Sequence, residues 1–122
     1  MKRERFELLV EEALEQIPEE FTALFDNITV QVQDRAPQDV HKQTGTSPHS
    51  LILGLYHGVP LKHRGPFYGN IPPDVITIYQ KSIEDICVSD KDIKNKIKEV
   101  VLHEVGHYFG LKEKDLKDIE GR

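Results

Sequence analysis

The hydrophobic residues near the start of the chain recur with the period of a helix. Six of them share one helical face, opposite four glutamates: Phe6, Leu9, Val10, Ala13, Leu14 and Ile17. Pro18 ends this helix or begins a new turn, in which case Phe21, Leu24 and Phe25 face inward from a short second helix. The chain therefore opens with an amphipathic helix that needs a partner for its apolar face.

Three later segments have the hydrophobic pattern of β-strands. Residues 28–33 alternate between apolar and polar side chains, as in a strand with one buried face. Residues 51–56 are apolar on both faces, which predicts a strand in the centre of the sheet. Residues 75–79 form a third strand. The intervening residues 34–50 and 58–74 are polar or rich in proline and glycine, so we expect two long loops.

The most regular helix of the sequence begins after Ser89, which forms a capping box with Asp92, and ends at Gly110. At about 100° per residue, its apolar side chains form one stripe that runs from Ile93 to Tyr108. This helix carries the residues of greatest chemical interest.

The order of elements predicts the fold class. It runs helix, strand, strand, strand, helix, with a short turn at 82–87 and a last helix that begins at Asp115. We expect an α+β fold in a single domain, 1–122. Its small mixed sheet, of three or four strands, is backed by the N-terminal helix and by the helix that carries residues 103–107.

Composition and charge exclude several classes of protein. The 122-residue chain has a net charge of -5, which argues against the basic face that binding to nucleic acid requires. The longest apolar run, 51–55, is too short to cross a membrane, and no secretory signal follows the N-terminus. Cys87 is the only cysteine, so it fits a reducing compartment and fills core space. We expect a cytoplasmic protein.

Residues 103–107 read His-Glu-Val-Gly-His. Positions i and i+4 share a helical face, so His103 and His107 can present imidazole nitrogens to one zinc ion. Glu104 falls within the apolar stripe, where a carboxylate is costly unless it is paired or has a chemical role. The spacing therefore predicts a Zn²⁺ site with Glu104 as the general base. The alternative is a hydrogen-bonded polar patch at the edge of the helix.

A catalytic zinc ion needs a third protein ligand and an open position. Gly110 allows a sharp turn, after which Glu113 or Asp115 can return toward the metal, with Asp118 more remote. On spacing Glu113 is the first choice, while Asp115 has a second possible role as the cap of the last helix. His57 and His63 are further alternatives, so the third ligand stays open.

The chain resembles the minimal zincins, a family of short bacterial proteins identified as metallopeptidases. Three stretches carry the resemblance, at 53–61, 73–79 and 103–111, and the motif continues as Gly110-x-x-Glu113. The resemblance implies a compact α+β zincin core that binds zinc through His103, His107 and a third ligand at position 113. Other zincins often have His or Asp at that position, so Glu113 departs from their pattern.

Together these features predict a zinc metallopeptidase that uses a metal-activated water and acts on a peptide or protein substrate. Thr77 and Tyr79 are the candidate substrate-binding residues, provided that the strand at 75–79 is an open edge of the sheet. Tyr68, Tyr79 or Tyr108 is a candidate to assist the oxyanion. Two other functions remain: an interaction module that keeps zinc without turnover, and a metallohydrolase that acts on non-peptide substrates.

Overall fold

A computed structural model describes residues 1–22, 28–45, 51–58, 74–108 and 110. Within them, a three-stranded sheet and two long helices enclose a hydrophobic core. The elements in chain order are α1 (Arg3–Glu15), α2 (Glu19–Thr22), β1 (Ile28–Gln33), α3 (Gln38–Thr44), β2 (Gly54–His57), β3 (Asp74–Tyr79), α4 (Gln80–Asp85) and α5 (Asp90–Tyr108). The α+β class with a mixed sheet is confirmed.

Helix α1 buries the face that its sequence pattern predicts. Phe6, Leu9, Val10 and Ala13 are buried against α5 and the sheet, and Phe21 of α2 is also buried. The remaining predicted core residues of this region, Leu24 and Phe25, lie outside the described residues. The amphipathic pattern was a sufficient guide here because one stripe of the helix supplies nearly all of its packing.

The sheet has the order β1-β3-β2. Strand β3 pairs in parallel with β1 and antiparallel with β2. The prediction that residues 51–56 form the central strand is therefore wrong, because β3 is central and β2 lies at an edge of the described sheet. The apolar residues of 51–56 are explained by different neighbours: they lie beside α5 and a cavity next to it, and not between two strands.

Part of the predicted loop at 34–50 is helical. Helix α3 follows Pro37 and ends at Gly45, whose φ of 73° is left-handed, a conformation that glycine adopts at low cost. Val40 and His41 are buried. The sequence did not reveal this helix because seven residues make fewer than two turns, too few for a period to appear. Residues 46–50 lie outside the described residues.

Helix α5 is capped as predicted. The Ser89 hydroxyl accepts a hydrogen bond from the Asp92 N–H at 3.1 Å, and the Asp92 carboxylate accepts one from the Val88 N–H at 3.2 Å. The apolar stripe is buried as expected up to Val105, whereas Tyr108 at the end of the helix is 37% exposed. Leu102 is also fully buried, since the core surrounds more of this helix than one stripe.

Cys87 packs against the core, and burial raises the pKa of its thiol, which fits the expected structural role. No helix in the described ranges is long and apolar enough to cross a membrane.

Candidate metal centre

The last two turns of α5 carry both histidines of the motif. The ring centroids of His103 and His107 lie 5.8 Å apart, and their planes meet at 78°. A zinc ion bound to one nitrogen of each ring would lie about 3 Å from each ring centre. The separation therefore suits a single ion between the two rings. His103 is half-buried and His107 is exposed.

A hydrogen bond fixes the tautomer of His103. Its Nδ1 lies 2.9 Å from the carbonyl oxygen of Glu99, one turn earlier on α5. A carbonyl oxygen only accepts, so Nδ1 carries the proton and Nε2 keeps its lone pair. Histidines that bind metals usually donate their other ring N–H in this way. The donor set of this part of the helix thus fits zinc.

Glu104 is half-buried between α5 and β2. Burial raises the pKa of its carboxyl group above the ordinary value of 4.5, and this effect outweighs three opposing ones. Those are a hydrogen bond from the Tyr56 backbone N–H and the charges of His107 and His103. A carboxylate with raised proton affinity beside two imidazoles is suited to accept and return a proton.

Helix α5 and strand β2 run side by side with matched spacing. Three contacts join them in register: Val100 with Gly54, Glu104 with Tyr56, and Tyr108 with Gly58. Four helical residues advance about 6 Å, and two strand residues advance about 6.6 Å. The ridge at i, i+4 and i+8 of the helix therefore follows alternate residues of the strand, and glycines at two of the three positions permit the close approach.

Tyr56 links the site to the centre of the sheet. Its hydroxyl lies 2.6 Å from the Asp74 carboxylate, which is 5% exposed and accepts the hydrogen bond. Its ring stacks on Tyr108 with the centroids 4.2 Å apart and the planes 28° apart. Its backbone N–H binds Glu104. These three contacts hold Tyr56 in place, and Tyr56 in turn orients the carboxylate of Glu104.

The structure leaves the third ligand open. Glu113, Asp115, Asp118 and His63 lie outside the described residues. His57, at the exposed end of β2, is described. Within the described ranges, no group of three His, Cys, Asp or Glu residues is close enough to hold a metal ion, so His57 does not complete a site with the two motif histidines. Gly110 has a φ of 80°, the left-handed conformation that suits a glycine after the end of a helix.

Thr77 and Tyr79 do not have the setting that was expected for substrate-binding residues. Their expected role required the strand at 75–79 to be an open edge of the sheet. Strand β3 has a neighbouring strand on each side, so a peptide cannot pair with it. Both are 2% exposed. The Thr77 hydroxyl accepts a hydrogen bond from the Gln31 side chain, and burial raises the pKa of the Tyr79 hydroxyl.

Sequence reasoning missed the role of Tyr56. The signal was present as Gly54-x-Tyr56-x-Gly58, in which two glycines on one face of a strand flank an aromatic residue. Glycine in a strand often marks a close approach of another backbone or side chain. Which element approaches depends on the tertiary packing, so the pattern alone does not point to α5.

The fold and the paired histidines on α5 define a small α+β protein with the features of a metal-dependent hydrolase. The family model described as "Zincin-like metallopeptidase" matches residues 25–122. The chain belongs to this family. No curated protein matches it. Among solved structures, a conserved hypothetical protein from Thermus thermophilus is similar, with a TM-score of 0.57 and 23% identity over 96% of this chain and 98% of that one. That likeness supports the fold.

Proposed function

We propose that the protein is a zinc-dependent peptidase that uses His103 and His107 as metal ligands and Glu104 as its general base. The observation that carries the proposal is the hydrogen bond from His103 Nδ1 to the Glu99 carbonyl, because it leaves the lone pair of a neutral imidazole on Nε2, where a metal ion requires it. Membership of the zincin-like metallopeptidase family supports a zinc-dependent hydrolase in general terms.

Bound zinc would supply Lewis-acid activation of a water molecule and of the scissile carbonyl. The chain's own residues supply the rest. Glu104 takes a proton at its carboxylate from the attacking water and returns it to the leaving amine. The Tyr56 N–H keeps that carboxylate oriented. Glu113 is the proposed third ligand, with Asp115 as its alternative, because both follow the turn at Gly110.

The proposed substrate is a peptide or protein segment in extended conformation. Strand β2 lies at an edge of the described sheet and beside Glu104, so an extended chain along its outer side would bring a peptide bond to the motif residues. The cytoplasmic location stays a prediction of the sequence.

The variant Glu104→Gln tests the base assignment. Glutamine keeps the shape of the side chain and still accepts the Tyr56 N–H, but it cannot take up a proton at neutral pH. Zinc content measured by plasma mass spectrometry should stay at the wild-type level, while hydrolysis of a peptide library should fall by about 100-fold or more. Glu15→Gln is the control, since Glu15 is exposed on α1.

The possible outcomes of this experiment separate the functions. Undiminished hydrolysis by Glu104→Gln would contradict the role of Glu104 as base. Stoichiometric zinc in a wild-type protein that cleaves no library peptide would favour an interaction module, or a hydrolase of non-peptide substrates.

A further inference from the structure

A second cleft lies between α1 and β1, away from the candidate zinc site. Its volume is about 500 Å³. Glu7, Val10, Glu11 and Leu14 of α1 line one side, and residues 30–32 of β1 line the other. Strands β1 and β2 form opposite edges of the described sheet. This α1–β1 cleft therefore has no residue in common with the site on α5 and β2.

The apolar residues of the α1–β1 cleft are only partly covered. Val10 is buried, whereas Leu14, Val30 and Val32 are half-buried. Helix α1 packs mainly against α5, so within the described residues it covers the apolar side of β1 incompletely. A partner that buried these side chains would remove further apolar area from water.

Strand β1 has an edge to which another strand can add. Within the described sheet it pairs only with β3, so backbone groups on its other side have no ladder partner there. Such edges are usually protected by charged residues, proline or a bulge, and Ile28–Gln33 has none of these. Arg3 covers only the end of the strand, where its guanidinium donates to the Val32 carbonyl at 2.7 Å and to Asp34.

Two carboxylates lie at the rim of the α1–β1 cleft. Glu7 and Glu11 are exposed, and neither forms an ion pair with another described residue. By contrast, Arg5 and Glu12 on the other side of α1 are both paired with charged residues of α5. The cleft therefore presents negative charge that a cationic partner would neutralise.

The spacing of these glutamates matches the repeat of an extended chain. Arg3 reaches the end of β1, and Leu14, about 16 Å further along the helix, still lines the cleft with β1, so α1 runs along the strand. Glu7 and Glu11 are one turn apart, about 6 Å, and alternate residues of a strand are about 6.6 Å apart. Two side chains on one face of a strand added to β1 would therefore meet both carboxylates.

Lysine and arginine are the side chains that fit this arrangement. Their aliphatic stems can lie along the half-buried Val30 and Val32, while the charged ends reach the carboxylates of Glu7 and Glu11. A short polar side chain would leave both the apolar area and the charges without a partner. The net charge of -5 also favours the approach of a basic segment.

We propose that the α1–β1 cleft docks an extended segment of a partner protein, which adds a strand to β1 and has lysine or arginine at two alternate positions. Backbone hydrogen bonds to β1 supply affinity, and the two carboxylates select the basic side chains and their spacing. This docking site is separate from the proposed peptidase function and does not depend on bound zinc.

Three capped pentapeptides test the chemistry and the spacing. Val-Lys-Val-Lys-Val places both lysines on one face of a strand, Val-Lys-Lys-Val-Val has the same composition but places them on opposite faces, and Val-Glu-Val-Glu-Val reverses the charge. Each is titrated into the full chain in about 0.1 M salt, and amide shifts are followed by NMR. The first peptide should bind at least about threefold more tightly than the second and about tenfold more tightly than the third. It should shift the amides of residues 7–11 and 28–32.

A pair of double variants tests the two carboxylates. Glu7→Gln combined with Glu11→Gln keeps the side-chain shape and removes both charges, so it should weaken binding of Val-Lys-Val-Lys-Val at least about threefold. Glu4→Gln combined with Glu19→Gln is the matched control, because both residues are exposed and lie outside the cleft, and the net charge changes equally. This control should bind the peptide about as tightly as the wild type does.

Equal affinity for the two lysine peptides would overturn the strand geometry. Equal losses in the two double variants would show only a general attraction to an acidic chain. Either result, or the absence of binding, contradicts the docking site. Zinc content and peptide cleavage are measured separately on the wild type, and their absence would remove the peptidase function while leaving the docking site in place.

Discussion

At the scale of single residues, the raised pKa of Glu104 has a consequence for stability. Burial makes the carboxyl group bind its proton more tightly in the folded chain than in the unfolded chain. Between the ordinary value of 4.5 and the raised pKa, the folded state therefore holds more protons. Stability then falls as the pH rises through this window. The ionised carboxylate weakens the metal-free fold, as is common for groups placed for function.

We accordingly predict that metal-free Glu104→Gln is more stable than the metal-free wild type at pH 7. The difference should shrink when the pH falls below 4.5, because both side chains are then neutral. Urea unfolding at pH 7 and pH 4 measures the difference in the free energy of unfolding between the variant and the wild type at each pH, with Glu15→Gln as a reference. A variant that is less stable than the wild type at pH 7 would refute the cost assigned to the buried carboxylate.

Gly54 in β2 and Gly58 directly after it lead to a second prediction for single residues. A Cβ at Gly54 would come within 2.5 Å of Val100 Cγ1 and 3.1 Å of the Thr77 carbonyl oxygen, whereas one at Gly58 would meet the outer atoms of the Tyr108 ring. Tyr108 is partly exposed and can move, but Val100 is buried. Gly54→Ala should therefore reduce the free energy of unfolding by about 1–3 kcal/mol.

Gly58→Ala should cost clearly less than Gly54→Ala, and it should displace the Tyr108 ring from Tyr56. Thermal unfolding compares the two stabilities, and the ring-current shifts of the tyrosine protons report the stacking. Equal losses of stability would show that the close approach of α5 to β2 is not limited by Val100.

At the scale of elements, the start of α5 determines how firmly the motif helix is held. The Ser89 hydroxyl satisfies the Asp92 N–H, which no carbonyl of the helix can reach. Ser89→Ala should reduce the free energy of unfolding by about 1 kcal/mol. Ser89→Asn should restore most of it, because asparagine caps a helix as well as serine does. If both variants are equally stable in urea, the cap contributes nothing measurable.

The elements also show what a sequence pattern can and cannot predict. Helices α1 and α5 and strand β1 were predicted because each directs its apolar residues mainly toward the core, which produces a period in the sequence. Strand β2 was assigned to the centre of the sheet because its sequence is apolar on both faces. A strand that packs against a helix has the same sequence pattern as a strand that lies between two other strands. The two arrangements differ only in the element that contacts the strand, and that element is decided by tertiary packing.

At the scale of the whole molecule, the candidate site joins one local motif to one long-range contact. His103, Glu104 and His107 were predictable because a helix fixes their relative positions within five residues. The role of Tyr56 was not, since it depends on a register between β2 and α5, 48 residues apart at Tyr56 and Glu104. Thr77 and Tyr79 were misplaced for the same reason, because the order of strands decides which one is an edge.

In the proposed site, His103 and His107 together hold one zinc ion. The most direct test is the zinc content of the purified protein after dialysis, measured by plasma mass spectrometry for the wild type, His103→Ala, His107→Ala and the control His57→Ala. We predict one zinc ion per chain in the wild type and in His57→Ala, and background zinc in the other two variants. Stoichiometric zinc in His103→Ala or His107→Ala would contradict it.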